Sequence, residues 1–71
     1  MSDELRTRLA AITAPYGRHI RLEDVRFESG MRLMRVTIRE GQRITVFDID
    51  ADTATQWAQT MQQWADQAGN P

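Results

Sequence analysis

Two short turns of similar sequence, each closed by a glycine, constrain this chain more than any other feature. They are Phe27-Glu28-Ser29-Gly30-Met31 and Ile38-Arg39-Glu40-Gly41-Gln42. A glycine at the fourth position of such a turn adopts the left-handed conformation readily and closes a three-residue hairpin loop with a bulge. The sequence therefore predicts a three-stranded antiparallel meander over residues 19–28, 31–39 and 42–49, with Phe27 opposite Met31.

The turns also predict which residues lie opposite each other in the sheet. In the second hairpin Ile38 would face Gln42, which places Val36 between Leu22 and Ile44. Because side chains alternate between the two faces of a strand, both faces of this meander then carry an apolar group. One group comprises Ile20, Leu22, Met34, Val36, Ile38, Ile44 and Val46, and the other comprises Val25, Phe27, Met31, Leu33, Phe47 and Ile49.

Helical spacing precedes the meander. Leu5, Leu9 and Ile12 recur at i, i+4 and i+7 after a candidate N-cap at Ser2, which indicates a helix over about residues 3–13. Pro15 and Gly17 would end this helix before the first strand.

A second, clearer helix follows the meander over about residues 53–68, with Asp50 or Asp52 as its N-cap. Its apolar stripe comprises Ala54, Trp57, Ala58, Met61, Trp64, Ala65 and Ala68. Gly69-Asn70-Pro71 would stop it. The expected fold is α+β, a single domain over residues 1–71 with the element order α-β-β-β-α, in which two helices flank the sheet on the same face or on opposite faces.

Composition argues against several classes of function. The chain has no cysteine, which excludes disulfides and thiolate metal sites, and no apolar run approaches the roughly 20 residues of a membrane span. We therefore expect a cytoplasmic protein that does not enter a membrane. We expect no enzyme activity and no cofactor, since the lone His19 has no identifiable partner for acid–base chemistry.

The acidic run Asp48-Ile49-Asp50-Ala51-Asp52 resembles the start of a calcium-binding loop. The pattern fails at the sixth position, where Thr53 replaces glycine, and at the twelfth, where Gln59 replaces glutamate. Helix capping explains these aspartates, and a weak magnesium site is the alternative.

All nine cations are arginines, and seven of them fall within residues 18–43. In the predicted register Arg21, Arg35 and Arg43 share one sheet face, which suggests a nucleic-acid-binding patch. Two observations oppose that reading: Glu23 lies within the patch, and the net charge is −1. A solvated face of cross-strand ion pairs accounts for the same residues.

The preferred hypothesis is a small bacterial-type accessory or assembly module that binds a second copy of itself or another protein. Trp57 and Met61 are expected to pack on the sheet, and a tryptophan edge left for a partner is the alternative. The predicted interface residues are Ile20, Val36, Ile44, Trp57 and Trp64. A homodimer is the expected assembly.

Overall fold

The chain forms a four-stranded antiparallel sheet followed by one helix, in a computed structural model that describes residues 4–69. The strands are β1 (Glu4–Ala14), β2 (Arg18–Phe27), β3 (Arg32–Glu40) and β4 (Arg43–Ile49), and the helix is α1 (Ala51–Ala68). The strands pair in the order β1-β2-β3-β4, so β1 and β4 are the edges. The predicted α+β class is confirmed, whereas the prediction of three strands and two helices is wrong.

Strand β1 occupies the region predicted to be the first helix. Its pairing with β2 shifts between Arg8 and Ala10, which leaves Leu9 as the extra residue of a β-bulge. The inserted residue inverts the alternation of the strand after Leu9. Leu5, Leu9 and Ile12 therefore lie on the same face, and their spacing of four and three residues is also the spacing of an apolar stripe on a helix. Ser2, the predicted cap, lies outside the described residues.

The turn between β2 and β3 forms as predicted. The amide of Phe27 donates to the carbonyl of Met31 over 2.9 Å, and Gly30 has a φ of +95°. The register of the hairpin, with Leu22 opposite Val36, is also confirmed.

The turn between β3 and β4 is shorter than predicted. Glu40 pairs with Arg43 across a two-residue loop, and Ile38 pairs with Thr45 instead of facing Gln42. Gly41 has the predicted positive φ, +61°, but occupies the first loop position, as in a type II′ turn. This slip of three residues moves every β4 side chain to the opposite face from the predicted one, because an odd shift inverts the alternation.

We define two faces from this register. The helix-side face carries Leu5, Leu9, Ile12, Ile20, Leu22, Asp24, Met34, Val36, Ile38, Phe47 and Ile49. The arginine face carries Arg6, Arg8, Arg21, Glu23, Arg35, Thr37, Arg39, Ile44, Val46 and Asp48. The predicted second apolar group is thereby divided, since Phe47 and Ile49 join Val36, while Val25 and Leu33 stay on the opposite face.

Helix α1 begins at Ala51, two residues before the predicted start, and Asp50, one of the two predicted N-caps, caps it. The Asp50 side chain accepts a hydrogen bond of 2.9 Å from the Thr53 amide, and hydrogen bonding from the Thr53 hydroxyl, together with this amide, lowers the pKa of the Asp50 carboxyl. At the other end the Gly69 amide donates to the Ala65 carbonyl. Asn70 and Pro71, the rest of the predicted stop, lie outside the described residues.

The core of the described chain is very small. Val25 and Val36 are its only buried apolar residues. Trp57 contacts Phe47 edge to face, with the ring centroids 5.7 Å apart, but remains 43% exposed, and Met61 is 58% exposed. The expectation that both residues are core residues is therefore wrong for Met61 and only partly met by Trp57.

Candidate interaction surfaces

The apolar stripe of α1 is the first surface that the fold leaves uncovered. The helix lies against the sheet through its first two turns, where Ala54 is half-buried and Trp57 meets Phe47. From Ala58 to Gly69 every described residue is exposed, and Trp64 is 70% exposed. Exposed tryptophan and methionine side chains on one helical stripe are typical of a protein interface.

A second uncovered surface lies on the helix-side face at the β1 edge. We call it the β1 row, and it comprises Leu5, Leu9 and Ile12. These side chains are 66%, 55% and 46% exposed. Because β1 and β4 are opposite edges of the sheet, the row lies roughly 14 Å from the strand that leads into α1.

An apolar hollow joins the two surfaces. It lies between the β1 row and the start of α1, and its lining includes Leu9, Met34, Ile49 and Ala54. Asp24 closes one side and is 8% exposed. Its carboxylate accepts hydrogen bonds from Arg32 at 2.7 Å and Arg26 at 3.1 Å, which together lower the pKa of Asp24.

On the arginine face, Arg35 ties three strands together. Its guanidinium donates two hydrogen bonds to Asp48 on β4, at 2.8 and 3.0 Å, and two to Glu4 on β1, at 3.2 and 3.3 Å. The bonds to Asp48, and secondarily those to Glu4, raise the pKa of Arg35, and the same contact lowers the pKa of Asp48. Arg35 thus links β3 to β4 and β1 through ion pairs and is not an unpaired cation.

The other arginines of this face line an open groove. Arg6, Arg8, Arg21 and Arg39 surround Glu23, whose carboxylate lies 3.5 Å from the Arg21 Nε. Glu23 Oε1 is buried and accepts no hydrogen bond within the described part of the chain. Arg6, Arg8 and Arg39 form no ion pair with residues 4–69, so they are the cations of this face that are available to an anion.

The residues predicted for nucleic-acid contact separate into two groups. Arg21 and Arg35 share the arginine face, as predicted, but Arg43 lies on the helix-side face because of the β3–β4 register. The placement of Arg43 beside the other two is therefore corrected. Arg21 is partnered by Glu23 and Arg35 by two acids, which leaves neither as an unpaired cation.

The predicted interface residues also divide between faces. Ile20 and Val36 lie on the helix-side face, where Val36 is buried, while Ile44 is 61% exposed on the arginine face. The expected single patch of Ile20, Val36 and Ile44 is therefore corrected. Trp57 and Trp64 stay together on the exposed stripe of α1.

The acidic run at the end of β4 is engaged in structural contacts. Asp48 binds Arg35, and Asp50 caps α1. No group of three or more potential metal-ligating side chains occurs among residues 4–69. His19 pairs with Thr13 and Arg39 in neighbouring strands and is exposed.

The contribution of β1 to both surfaces is what the sequence reasoning missed. Because residues 3–13 are predicted to form a helix, the prediction does not place Arg6 and Arg8 in the groove or Leu9 on the sheet. The signal was present in Leu5-Arg6-Thr7-Arg8-Leu9, which alternates between apolar or β-branched residues and arginine with the period of a strand. Pro15-Tyr16-Gly17 then reads as the hairpin turn that joins β1 to β2.

These features define a small α+β domain with a single antiparallel sheet and one flanking helix. Residues 3–67 match the family of unknown function DUF6967, and the chain belongs to that family. No curated protein and no solved structure gives a match. Among the described residues, no helix is long and apolar enough to cross a membrane.

Proposed function

We propose that this protein is a non-catalytic assembly module whose working form is a homodimer. The observation that carries the proposal is the excess of exposed surface. The chain exposes 6038 Å², whereas a compact monomer of 8.2 kDa exposes about 4,500 Å². The difference of about 1,500 Å² per chain lies within the range of roughly 1,000–2,500 Å² that each subunit of an obligate homodimer buries.

The shape of the chain supports the same proposal. Its radius of gyration is 14.3 Å, compared with about 11 Å for a compact domain of 71 residues. Among residues 4–69, ten large apolar side chains are exposed and two valines are buried. The other apolar residues of the sheet, such as Leu22, Met34 and Phe47, are only half-buried, so the single chain offsets little of the conformational entropy lost on folding, and association would add burial.

A tryptophan substitution tests this proposal. In Trp64→Ala the side chain that is 70% exposed in the single chain is removed, so a stable monomer would be little affected. If the dimer buries Trp64, the substitution should raise the dissociation constant about 30-fold or more, which is the loss of affinity typical of an interface tryptophan. Gln59→Ala, on the opposite side of α1, is the matched control and should dissociate like the wild type. Equal dissociation constants for both variants and the wild type would contradict the proposal.

The arginine groove supports a second candidate function, the binding of a nucleic acid. Arg6, Arg8 and Arg39 line one groove without an ion pair to residues 4–69, and backbone phosphates are natural ligands for such cations. Among the described residues, no phenylalanine, tyrosine or tryptophan lines the groove, and His19 supplies its one ring, so the contact would be mainly electrostatic.

Salt titration of binding to a labelled single-stranded RNA tests this second candidate. Three phosphate contacts predict that log K falls with log salt with a slope of about −2. Arg8→Gln should make that slope less steep by the contribution of about one phosphate contact. Arg18→Gln, which removes a cation paired with Glu40, should leave the slope unchanged. Absence of binding at low salt would exclude this function.

A further inference from the structure

We infer that, in the dimer proposed above, α1 of each subunit packs across the helix-side face of its partner and covers the partner's β1 row. This inference rests on the proposed function and adds the identity of the two surfaces that meet. It assigns the part of the α1 stripe beyond Trp57, at Met61 and Trp64, to the partner's sheet, while Trp57 keeps its contact with Phe47 of its own sheet.

The helix cannot cover the β1 row of its own subunit in the observed arrangement. It begins directly after β4 and lies against the sheet near β3 and β4, whereas β1 is the opposite edge. Its contact with the sheet ends in the second turn, at the Trp57–Phe47 pair. Two complementary apolar surfaces are therefore left in every copy of the chain.

Their dimensions match. Helix α1 has 18 residues and is about 27 Å long, and the 11 residues of β1 extend about 36 Å. The exposed part of the stripe spans three turns, and the β1 row spans eight residues of the strand. A helix of this length can therefore cover the whole row, and the hollow beside Leu9 offers space for one of its large side chains.

Their charges are also compatible. The polar side of α1 is made mostly of neutral side chains, namely Thr53, Thr55, Gln56, Gln59, Thr60, Gln62, Gln63 and Gln67. On the sheet, the β2 residues of this face beside the β1 row are Ile20, Leu22, Asp24 and Arg26, and the carboxylate of Asp24 is already paired with Arg26 and with Arg32 of β3. Neither surface would bury an unpaired charge when the two meet.

A second copy fits these surfaces better than an unrelated partner. Two-fold symmetry makes the helix-to-sheet contact twice, so one self-complementary pair of surfaces covers both the stripe and the row in each subunit. Pairing through the free edge of β1 is the competing self-association. The bulge at Leu9 interrupts that edge, and bulges protect edge strands from such pairing.

Single cysteines placed in this cysteine-free chain test the arrangement. Met61→Cys is mixed with Leu9→Cys or with Ile12→Cys, and the mixture is treated with a short bis-maleimide and analysed by mass spectrometry. We expect dimers that join one helix variant to one sheet variant. Thr13→Cys, next to Ile12 but on the opposite face, and Gln59→Cys, on the opposite side of α1, are the matched controls and should give little of this product.

Three outcomes would overturn the inference. Products that link Met61→Cys only to itself would indicate a helix-to-helix dimer. Products that favour Thr13→Cys over Ile12→Cys would place the helix on the arginine face. A cross-link within one chain of the Met61→Cys/Ile12→Cys double variant would show that α1 closes on its own sheet.

The mass of the uncross-linked wild type separates this inference from the proposed function. A dimer that lacks the Met61–Ile12 and Met61–Leu9 products leaves the assembly proposal standing and overturns only the helix-to-sheet contact. A monomer overturns both.

Discussion

The indole of Trp57 meets the ring of Phe47 edge to face, with 5.7 Å between the ring centroids, and beyond this pair α1 is exposed on every side. An edge-to-face pair of this kind contributes on the order of 1 kcal/mol beyond the area it buries. It anchors the start of the helix on β4 but leaves Met61 and Trp64 without cover from the described residues of their own subunit. The Trp57–Phe47 pair therefore marks where the fold of the single chain ends and where we expect the contact with a partner to begin.

Replacing Arg35 should destabilise the sheet more than replacing any exposed arginine. Arg35→Gln removes the four hydrogen bonds to Asp48 and Glu4, and these three side chains are only 17%, 26% and 29% exposed. We expect the free energy of unfolding to fall by about 1–3 kcal/mol, measured by urea titration at fixed protein concentration.

The control for this prediction is Arg18→Gln. Arg18 forms an exposed ion pair with Glu40, with 48% and 41% of the side chains accessible, so its loss should cost less than about 1 kcal/mol. Equal decreases in the free energy of unfolding for the two variants would show that Arg35 stabilises the sheet no more than an exposed arginine does.

Acid should destabilise the fold. Hydrogen bonds from Arg32, from Arg35, and from the hydroxyl and amide of Thr53 lower the pKa values of Asp24, Asp48 and Asp50, respectively, below the ordinary value of 3.8. A carboxyl whose pKa is lower in the folded state stabilises the protein at pH values above its unfolded pKa, and this contribution is lost as the pH falls through the folded pKa. The free energy of unfolding should therefore be constant above about pH 5 and decrease steadily below pH 4.

Asp50→Asn offers an internal check on the acid prediction. Asparagine caps a helix about as well as aspartate but does not titrate, so this variant should keep its stability at pH 7 and lose less of it in acid. An unchanged dependence of stability on pH would show that the bond from Thr53 to Asp50 contributes nothing to acid unfolding.

The β3–β4 turn should tolerate only residues that accept a positive φ at position 41. No atom of the described residues lies within 4 Å of the position that a Cβ would take at Gly41, so a substitution there meets no steric clash with residues 4–69 and acts through the backbone. Because the φ is +61°, Gly41→Val should lower the free energy of unfolding by more than about 1 kcal/mol. Gly41→Asn should cost less, since asparagine adopts this conformation more easily. Equal costs would indicate that the turn rearranges.

The parts of the fold that the sequence predicts correctly are those set by local chemistry. The Phe27–Met31 turn needs a glycine at position 30, and the helix needs an N-cap at Asp50 followed by an apolar stripe. Both requirements act within a few residues, and both elements form as predicted.

The errors arise where one inserted or omitted residue changes the alternation of a strand. The bulge at Leu9 gives β1 the apolar spacing of a helix, and the two-residue turn at Gly41 reverses the faces of β4. Neither effect is local, since each depends on which residues of the neighbouring strand provide hydrogen bonds. The misplacement of Ile44 and Arg43 follows from the second error alone.

A second copy of the chain completes this fold in the arrangement that we propose. The mass of the wild-type chain in solution, measured by sedimentation equilibrium, is the direct test of that proposal. We expect a dimer of twice the 8.2 kDa chain mass, persisting at micromolar concentration, with helix content and mass lost together on dilution or heating. A folded species of 8.2 kDa up to millimolar concentration would contradict it, because the exposed stripe of α1 and the β1 row would then be stable in water without a partner.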